Sequence, residues 1–154
     1  MWLHDLALFG RIALAGLLGF VVGWEREVRG HPAGARTFAL VSAGSAALTT
    51  IASDAFPSTA EKLIAGIVTG IGFIGAGVVL QDPHGHVHGL TTAAAIWAMA
   101  AVGVMAGSAR FVLAAATAAL FVLMLELRSL PLVGHLDPRR WSHLFKSETD
   151  SSPD

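Results

Sequence analysis

Long apolar stretches are the feature of this sequence that most limits how the chain can fold. A helix needs about 20 mostly apolar residues to cross the hydrocarbon core of a bilayer, and five stretches come close to that length. They are Leu6–Trp24, Thr37–Ser53, Leu63–Leu80, Leu90–Ser108 and Phe111–Leu127. Because a span in lipid must satisfy its own backbone hydrogen bonds, the sequence predicts an all-α membrane protein with a bundle of about five transmembrane helices.

The composition excludes several other classes of protein. Charged residues make up only 14% of the 154 residues, whereas ordinary soluble domains carry about 25%, so a soluble globule is not expected. The net charge of −1 gives no basic balance for a nucleic-acid partner. Cysteine is absent, which excludes disulfides and thiolate metal sites. No nucleophile and base stand at a recognisable spacing, and we therefore expect that the chain is not an enzyme.

The basic residues predict how the chain is oriented in the membrane. With the N-terminus outside, seven of the ten Arg and Lys residues lie on the inner side and two on the outer side. Membrane proteins carry an excess of Arg and Lys on the cytoplasmic side, so we expect a cytoplasmic C-terminus. Residues 129–154, which carry more proline and charge, are then predicted to form a short cytoplasmic tail that is partly disordered.

Glycines within the spans predict close helix packing, because helices in lipid associate at small residues. Three pairs stand four residues apart: Gly19 and Gly23, Gly66 and Gly70, Gly103 and Gly107. A glycine-rich run with one further glycine after it consists of Gly70, Gly72, Gly75, Gly77 and Gly89. The run matches G-x-G-x-x-G, but a dinucleotide site also requires a preceding strand, and this run lies in an apolar span. We interpret it as a packed or discontinuous transmembrane segment, and a homodimer face is the alternative for the glycine pairs.

The loop after the first span is the most charged part of the chain. With the starts of the second and fourth spans it forms a candidate polar cluster at the cytoplasmic face: Glu25, Arg26, Glu27, Arg29, Arg36, Thr37, Thr91 and Thr92. Topology requires only the positive charges, so the two carboxylates favour an ion-pair network over a solvated loop. Glu25 faces Arg29 one helical turn away, and Arg36 is a further expected partner of Glu25.

The start of the fourth span is expected to attract an anion, because the free N–H groups and the dipole of a helix N-terminus favour negative charge. Glu25, Glu27 or an external anion is predicted at this position. Thr91 or Thr92 is the predicted cap of the helix.

Two other groups of polar residues could carry chemistry. Arg11 is an intramembrane charge within snorkelling reach of the outer face, and nothing in the topology requires it there. The loop before the fourth span carries weak candidates for a transition-metal site: Asp82, His84, His86 and His88. A solvated turn is the favoured interpretation of this loop. No cofactor is expected, with Mg²⁺ as the alternative.

At four motifs the sequence resembles the MgtC/SapB family of bacterial inner-membrane proteins, over roughly residues 11 to 107. The motifs are Gly23-Trp-Glu-Arg-Glu with Arg29-Gly30, Ala33-Gly34-Ala35-Arg36-Thr37, Gly70-Ile-Gly72-Phe-Ile-Gly75-Ala-Gly77, and Gly89-Leu-Thr-Thr-Ala-Ala ahead of Trp97. The resemblance implies that residues 1–128 form a transmembrane domain in the bacterial inner membrane. It links the chain to growth in low magnesium and to survival inside host cells, which is a role in virulence. It further implies regulation through protein contacts, the ATP synthase among them, beside an inherited label of magnesium transport.

Three departures from the family pattern affect these expectations. Longer members carry an ACT-like domain after the fifth helix, for which the residues up to Asp154 leave no room, so the short form is expected. Gly66 stands where many members have Gln, which removes a polar group from the third span. His88 stands where many members have a basic residue, so the charge at that position depends on pH.

The sequence is compatible with three interpretations of the function. Mg²⁺ prefers oxygen ligands, and no Asp or Glu lies in the middle of any span. We therefore favour a regulatory membrane protein that acts through protein contacts. The alternative is a transporter or channel for Mg²⁺ or another divalent cation, and a third interpretation, a purely structural oligomerising module, would need only the small-residue helix faces.

Overall fold

The computed structural model describes residues 2–81, 83 and 86–126, and most of them are helical. The helices are α1 (Trp2–Val28), α2 (Ala35–Ala55), α3 (Ala60–Val78), α4 (Leu90–Gly107) and α5 (Phe111–Glu126). The all-α class predicted from the sequence is confirmed. One compact unit ends at Val122, and of the second unit the structure describes only the last residues of α5.

Two short connections join these helices. A 3-10 turn, Pro57–Thr59, leads from α2 into α3. Between α3 and α4 the two-residue strands β1 (Leu80–Gln81) and β2 (Val87–His88) pair antiparallel, with Leu80 opposite His88. The sequence predicted only a turn here, because two-residue strands are too short to show an alternating pattern.

Four helical segments are long and apolar enough to cross a membrane: α1, α2, the segment Pro57–Val78 that includes α3, and α4. The chain is therefore a multi-pass membrane protein. Helix α5 forms at the predicted position, and the structure describes 16 of its residues, Phe111–Glu126. Within the described residues this apolar helix is shorter than the four candidate spans. The orientation of the termini stays a prediction, and the predicted tail lies outside the described residues.

Helix α1 ends through a glycine in the left-handed backbone region. Gly30 has a φ of 72°, and its N–H donates to the carbonyl of Glu27 while the N–H of His31 donates to the carbonyl of Arg26. This pair of bonds is the Schellman arrangement, in which the left-handed position is usually glycine. Helix α4 ends with the same two bonds, but its left-handed residue is Ala109, with a φ of 60°.

The core lies where α2 and α4 pack against each other and against α1. Phe38, Ile96 and Met99 are fully buried there. Glycines bring the backbones together: a Cβ on Gly19 would collide with the carbonyl of Phe38, and one on Gly107 would lie 2.6 Å from the carbonyl oxygen of Ala46. Two of the three predicted glycine pairs, Gly19/Gly23 and Gly103/Gly107, therefore mark close helix contacts within the chain.

The glycine-rich run is not a broken segment, and most of its glycines do not pack against another helix of the described chain. Helix α3 continues without interruption through the run to Val78, since a break in lipid would leave backbone groups without partners. A Cβ on Gly70, Gly72 or Gly77 would meet no other described residue within 4 Å. The buried face of α3 is instead formed by Ile67 and Ile71. Gly75 alone of the run lies near another helix, 3.7 Å from the Cβ of Ala93.

Candidate functional site

The core formed by α1, α2 and α4 holds an arginine of α1 near each of its two ends. We call Glu25, Arg26, Glu27, Arg29 and Thr92 the Arg26 cluster. At the other end, Arg11 meets the last residue of α4, and we call this the Arg11 contact.

Arg26 is the most deeply buried charged residue of the described chain, with 3% of its surface exposed. Its Nη2 donates to Thr92 Oγ1 in the first turn of α4 at 3.3 Å. Thr92 is equally buried, so α1 and α4 are joined here through a polar contact that water does not reach. The Nε of Arg26 has no hydrogen-bond partner among the described residues. A buried guanidinium with unused donor capacity fixes a positive charge at this end of the core.

The predicted ion pair between Glu25 and Arg29 is present beside Arg26. Glu25 Oε1 lies 2.6 Å from Arg29 Nε, one helical turn away, and both carboxylate oxygens are shielded from solvent. The further partner predicted for Glu25 is not found, because Arg36 lies exposed on the first turn of α2 and forms no ion pair among the described residues.

Glu27 holds the start of α2 rather than the start of α4, where the sequence predicted a carboxylate. Its Oε2 accepts a hydrogen bond from the backbone N–H of Ala35 at 2.9 Å. The N-cap residue of α2 is Gly34, which has no side chain to do this, and a Cβ there would lie 2.5 Å from the same carboxylate oxygen. The carboxylate therefore replaces a local cap and joins α1 to α2.

The predicted cap of α4 by Thr91 or Thr92 is also wrong. The N-cap is Gly89, with a φ of 86° and no side-chain hydrogen bond. A Cβ on Gly89 would collide with the carbonyl of Val78, so the end of α3 lies too close for any larger residue. Thr92 binds Arg26 instead, and Thr91 and Thr37 are exposed and half-buried, respectively.

The Arg11 contact closes the opposite end of the core. Arg11 is half-buried, and its Nη1 donates to the carbonyl oxygen of Gly107 at 3.2 Å. Thr50 Oγ1 donates to the same oxygen at 3.4 Å. Gly107 is the last residue of α4, where helix carbonyls lack intrahelical partners and carry the negative end of the dipole. The intramembrane charge thus has a partner in the backbone of another helix.

The sequence model of one known protein family matches most of this chain. Residues 12–130 match the sequence model of the MgtC family. The chain belongs to the MgtC family. It is 38% identical over 148 residues to an uncharacterized protein of Haemophilus influenzae, covering 90% of this chain and 59% of the relative. No solved structure matches.

Two named relatives extend the comparison. Protein SapB of Bacillus subtilis is 33% identical over 141 residues, covering 86% of this chain and 60% of the relative. Protein MgtC of Brucella abortus is 40% identical over 127 residues, covering 82% of this chain and 52% of the relative. The chain thus spans between half and two thirds of the length of these curated relatives.

The metal site predicted at the loop histidines of this MgtC-family chain is not tested by the described residues. Asp82 and His84 lie outside the described residues, while His86 and His88 are exposed. Among residues 2–81, 83 and 86–126, no three His, Asp or Glu side chains come together in a way that could hold a metal ion. The metal-site hypothesis therefore remains a prediction.

His31 is the titratable group of this region that lies outside the spans and responds to the Arg26 cluster. Partial desolvation lowers the pKa of His31 below its ordinary 6.5, and the positive charges of Arg26 and Arg29 lower it further, while Glu25 acts in the opposite direction. Neutral imidazole is therefore the favoured form beside the cluster at neutral pH.

Sequence reasoning missed one polar contact between α1 and α2. His4 Nε2 lies 2.9 Å from Asp54 Oδ1, and both side chains are partly exposed. The signal was available, because the first two predicted spans are antiparallel and place the start of one beside the end of the other.

Proposed function

We propose that this MgtC-family chain is an inner-membrane protein that regulates another membrane protein through direct contact and passes no cations itself. It performs no enzymatic step in this proposal. The family resemblance connects such a role to growth in low magnesium and to survival inside host cells. It also suggests the ATP synthase as one partner to examine.

The observation that carries the proposal is that an arginine occupies each end of the α1–α2–α4 core. Arg26 is buried against Thr92 at one end, and Arg11 contacts the carbonyl of Gly107 at the other. A cation that crossed along this core would have to pass both guanidinium groups. Arginine side chains in pores exclude cations by this electrostatic barrier.

The size of the barrier supports exclusion over conduction. At an effective dielectric constant of about 20, two unit charges about 4 Å apart repel by about 4 kcal/mol, and a divalent cation doubles that value. Glu25 offsets part of the charge at one end, but its carboxylate already lies 2.6 Å from Arg29. The carboxylate of Glu27 already accepts a hydrogen bond from the N–H of Ala35. The nearby carboxylates thus serve the packing of the helices.

Regulation by contact also fits the close packing of the core. Gly19 of α1 and Gly103 and Gly107 of α4 bring the helix backbones so close that an added Cβ would collide with a carbonyl of α2. Transporters that alternate their access move one helix bundle against another around a central site. A core joined by close backbone contacts at both ends is better suited to present a fixed surface to a partner.

Magnesium flux into proteoliposomes tests the proposal directly. Purified chain in liposomes loaded with a magnesium-sensitive dye should give the same uptake as liposomes without protein. In parallel, the same gene should restore growth in low magnesium to a strain that lacks its own MgtC-family protein. Fast, saturable uptake that Glu25→Ala abolishes would contradict the proposal and establish a transporter.

A further inference from the structure

A groove of about 530 Å³ lies between α2 and α3 on the surface of the helix bundle. Its walls are almost wholly apolar, with leucine and isoleucine side chains from both helices. Three of the residues that line it are glycines, Gly44, Gly66 and Gly70, and none has another group within 4 Å of the place where a Cβ would stand. The glycines therefore leave open space that no part of the described chain fills.

We propose that this groove binds one acyl chain of an anionic phospholipid, whose phosphate pairs with Lys62. The groove follows α3 from Lys62 to Ile74, about 18 Å at a rise of about 1.5 Å per residue. One leaflet contributes about 15 Å to the hydrocarbon core. The length of the groove thus matches one acyl chain that runs from the headgroup level toward the bilayer centre.

The charge of the groove favours a lipid with a negative headgroup. Lys62 lies in the first turn of α3, near the beginning of the span Pro57–Val78. It is the charged residue of the groove lining, is exposed, and forms no ion pair among the described residues. A lysine at this depth reaches the interface with its ammonium group while its stem stays in contact with apolar surface, and its positive charge attracts the negative charge of an anionic headgroup in the same leaflet.

The same lysine disfavours a second copy of the chain as the occupant. Gly66, Gly70 and Gly77 form a stripe on α3 that would otherwise suit helix pairing. Lys62 stands one turn before Gly66 on this stripe. A symmetric parallel pair would bring the two Lys62 side chains together, and like charges at helical contacts are destabilising.

Lipid binding to the purified chain tests the charge in this proposal. Native mass spectrometry in detergent measures binding of phosphatidylglycerol and of phosphatidylcholine to the wild type, Lys62→Gln and Lys62→Arg. We expect phosphatidylglycerol to bind more tightly than phosphatidylcholine, and Lys62→Gln to weaken phosphatidylglycerol binding about fivefold. Lys62→Arg should retain it. Equal binding of phosphatidylglycerol to all three proteins would overturn the proposal.

A second pair of variants tests the groove itself. Gly70→Leu places a side chain in the groove and should remove the bound lipid. Gly72→Leu is the matched control, because Gly72 also faces open space on α3 but does not line the groove. Equal lipid binding by the two variants would contradict the proposal, as would displacement of the lipid by soluble glycerol phosphate, which has no acyl chain.

The oligomeric state of Gly70→Leu distinguishes a bound lipid from a second copy of the chain in the groove. If Gly70→Leu turned a dimer into a monomer with lipid binding unchanged, the groove would hold a second copy and the lipid proposal would be wrong. The Lys62 variants change an exposed side chain, so they remain decisive even if Gly70→Leu fails to fold.

Discussion

At the scale of single residues, two of the charged side chains have partners that could not be predicted from the sequence, whereas a third could. The ion pair of Glu25 with Arg29 was predictable, because a spacing of four residues on a helix fixes the two side chains on one face. The acceptor for Arg11 is the carbonyl of Gly107, and every residue carries a carbonyl. The contact of Arg26 with Thr92 joins residues 66 positions apart, so it depends on how α1 docks on α4.

His31 should make the stability of the protein fall as the pH is lowered. Its pKa in the folded state is below the ordinary 6.5, so the unfolded chain binds a proton more readily than the folded chain. The free energy of unfolding should therefore be retained above pH 6.5 and decrease as the pH falls through that value. Unfolding in detergent, followed by circular dichroism at a series of pH values, measures this dependence.

A pair of histidine variants isolates the effect. His31→Gln should flatten the decrease in stability, because the group responsible is gone. His31→Asn should flatten the decrease to the same extent, because either amide removes the titrating ring. A profile that is the same for the wild type and His31→Gln would show that His31 does not couple to folding.

At the scale of helices and strands, the sequence predicted which segments are helical better than how the helices meet. Apolar length alone is sufficient for the spans, because lipid leaves the backbone few alternatives. Glycine content does not say which face of a helix touches a neighbour: Gly103 packs against Ser42, while Gly70 faces open space. The cap of α4 was missed because the close approach of Val78 excludes a side chain at Gly89.

Replacement of Gly89 should therefore be much more harmful than replacement of a glycine in the predicted run. Gly89→Ala places a Cβ against the carbonyl of Val78 and forces a left-handed conformation on alanine, at a cost above about 2 kcal/mol. Gly72→Ala meets nothing within 4 Å and should stabilise α3 by up to about 1 kcal/mol. Thermal unfolding of both variants in one detergent compares them, and equal midpoints would refute the role given to Gly89.

At the scale of the whole molecule, the main feature is that each end of the α1–α2–α4 core carries an arginine with a polar partner on α4. The Arg26 cluster joins α1 to α2 and α4, and the Arg11 contact joins α1 to α4 at the opposite end. Charge counts along the sequence predicted which ends of the helices face the cytoplasm, but not that an arginine would occupy each end of the core. That arrangement requires the packing of three helices at once.

Accessibility of single cysteines from each side of the membrane tests most directly whether these ends lie at opposite faces. The chain has no cysteine of its own, so Val28→Cys, Ser58→Cys and Val87→Cys each report one exposed position. With a membrane-impermeant maleimide, the cysteine at position 58 should react from outside, and those at 28 and 87 should react only from the cytoplasmic side. Labelling of positions 28 and 87 from opposite faces would contradict a membrane-spanning core with an arginine at each end.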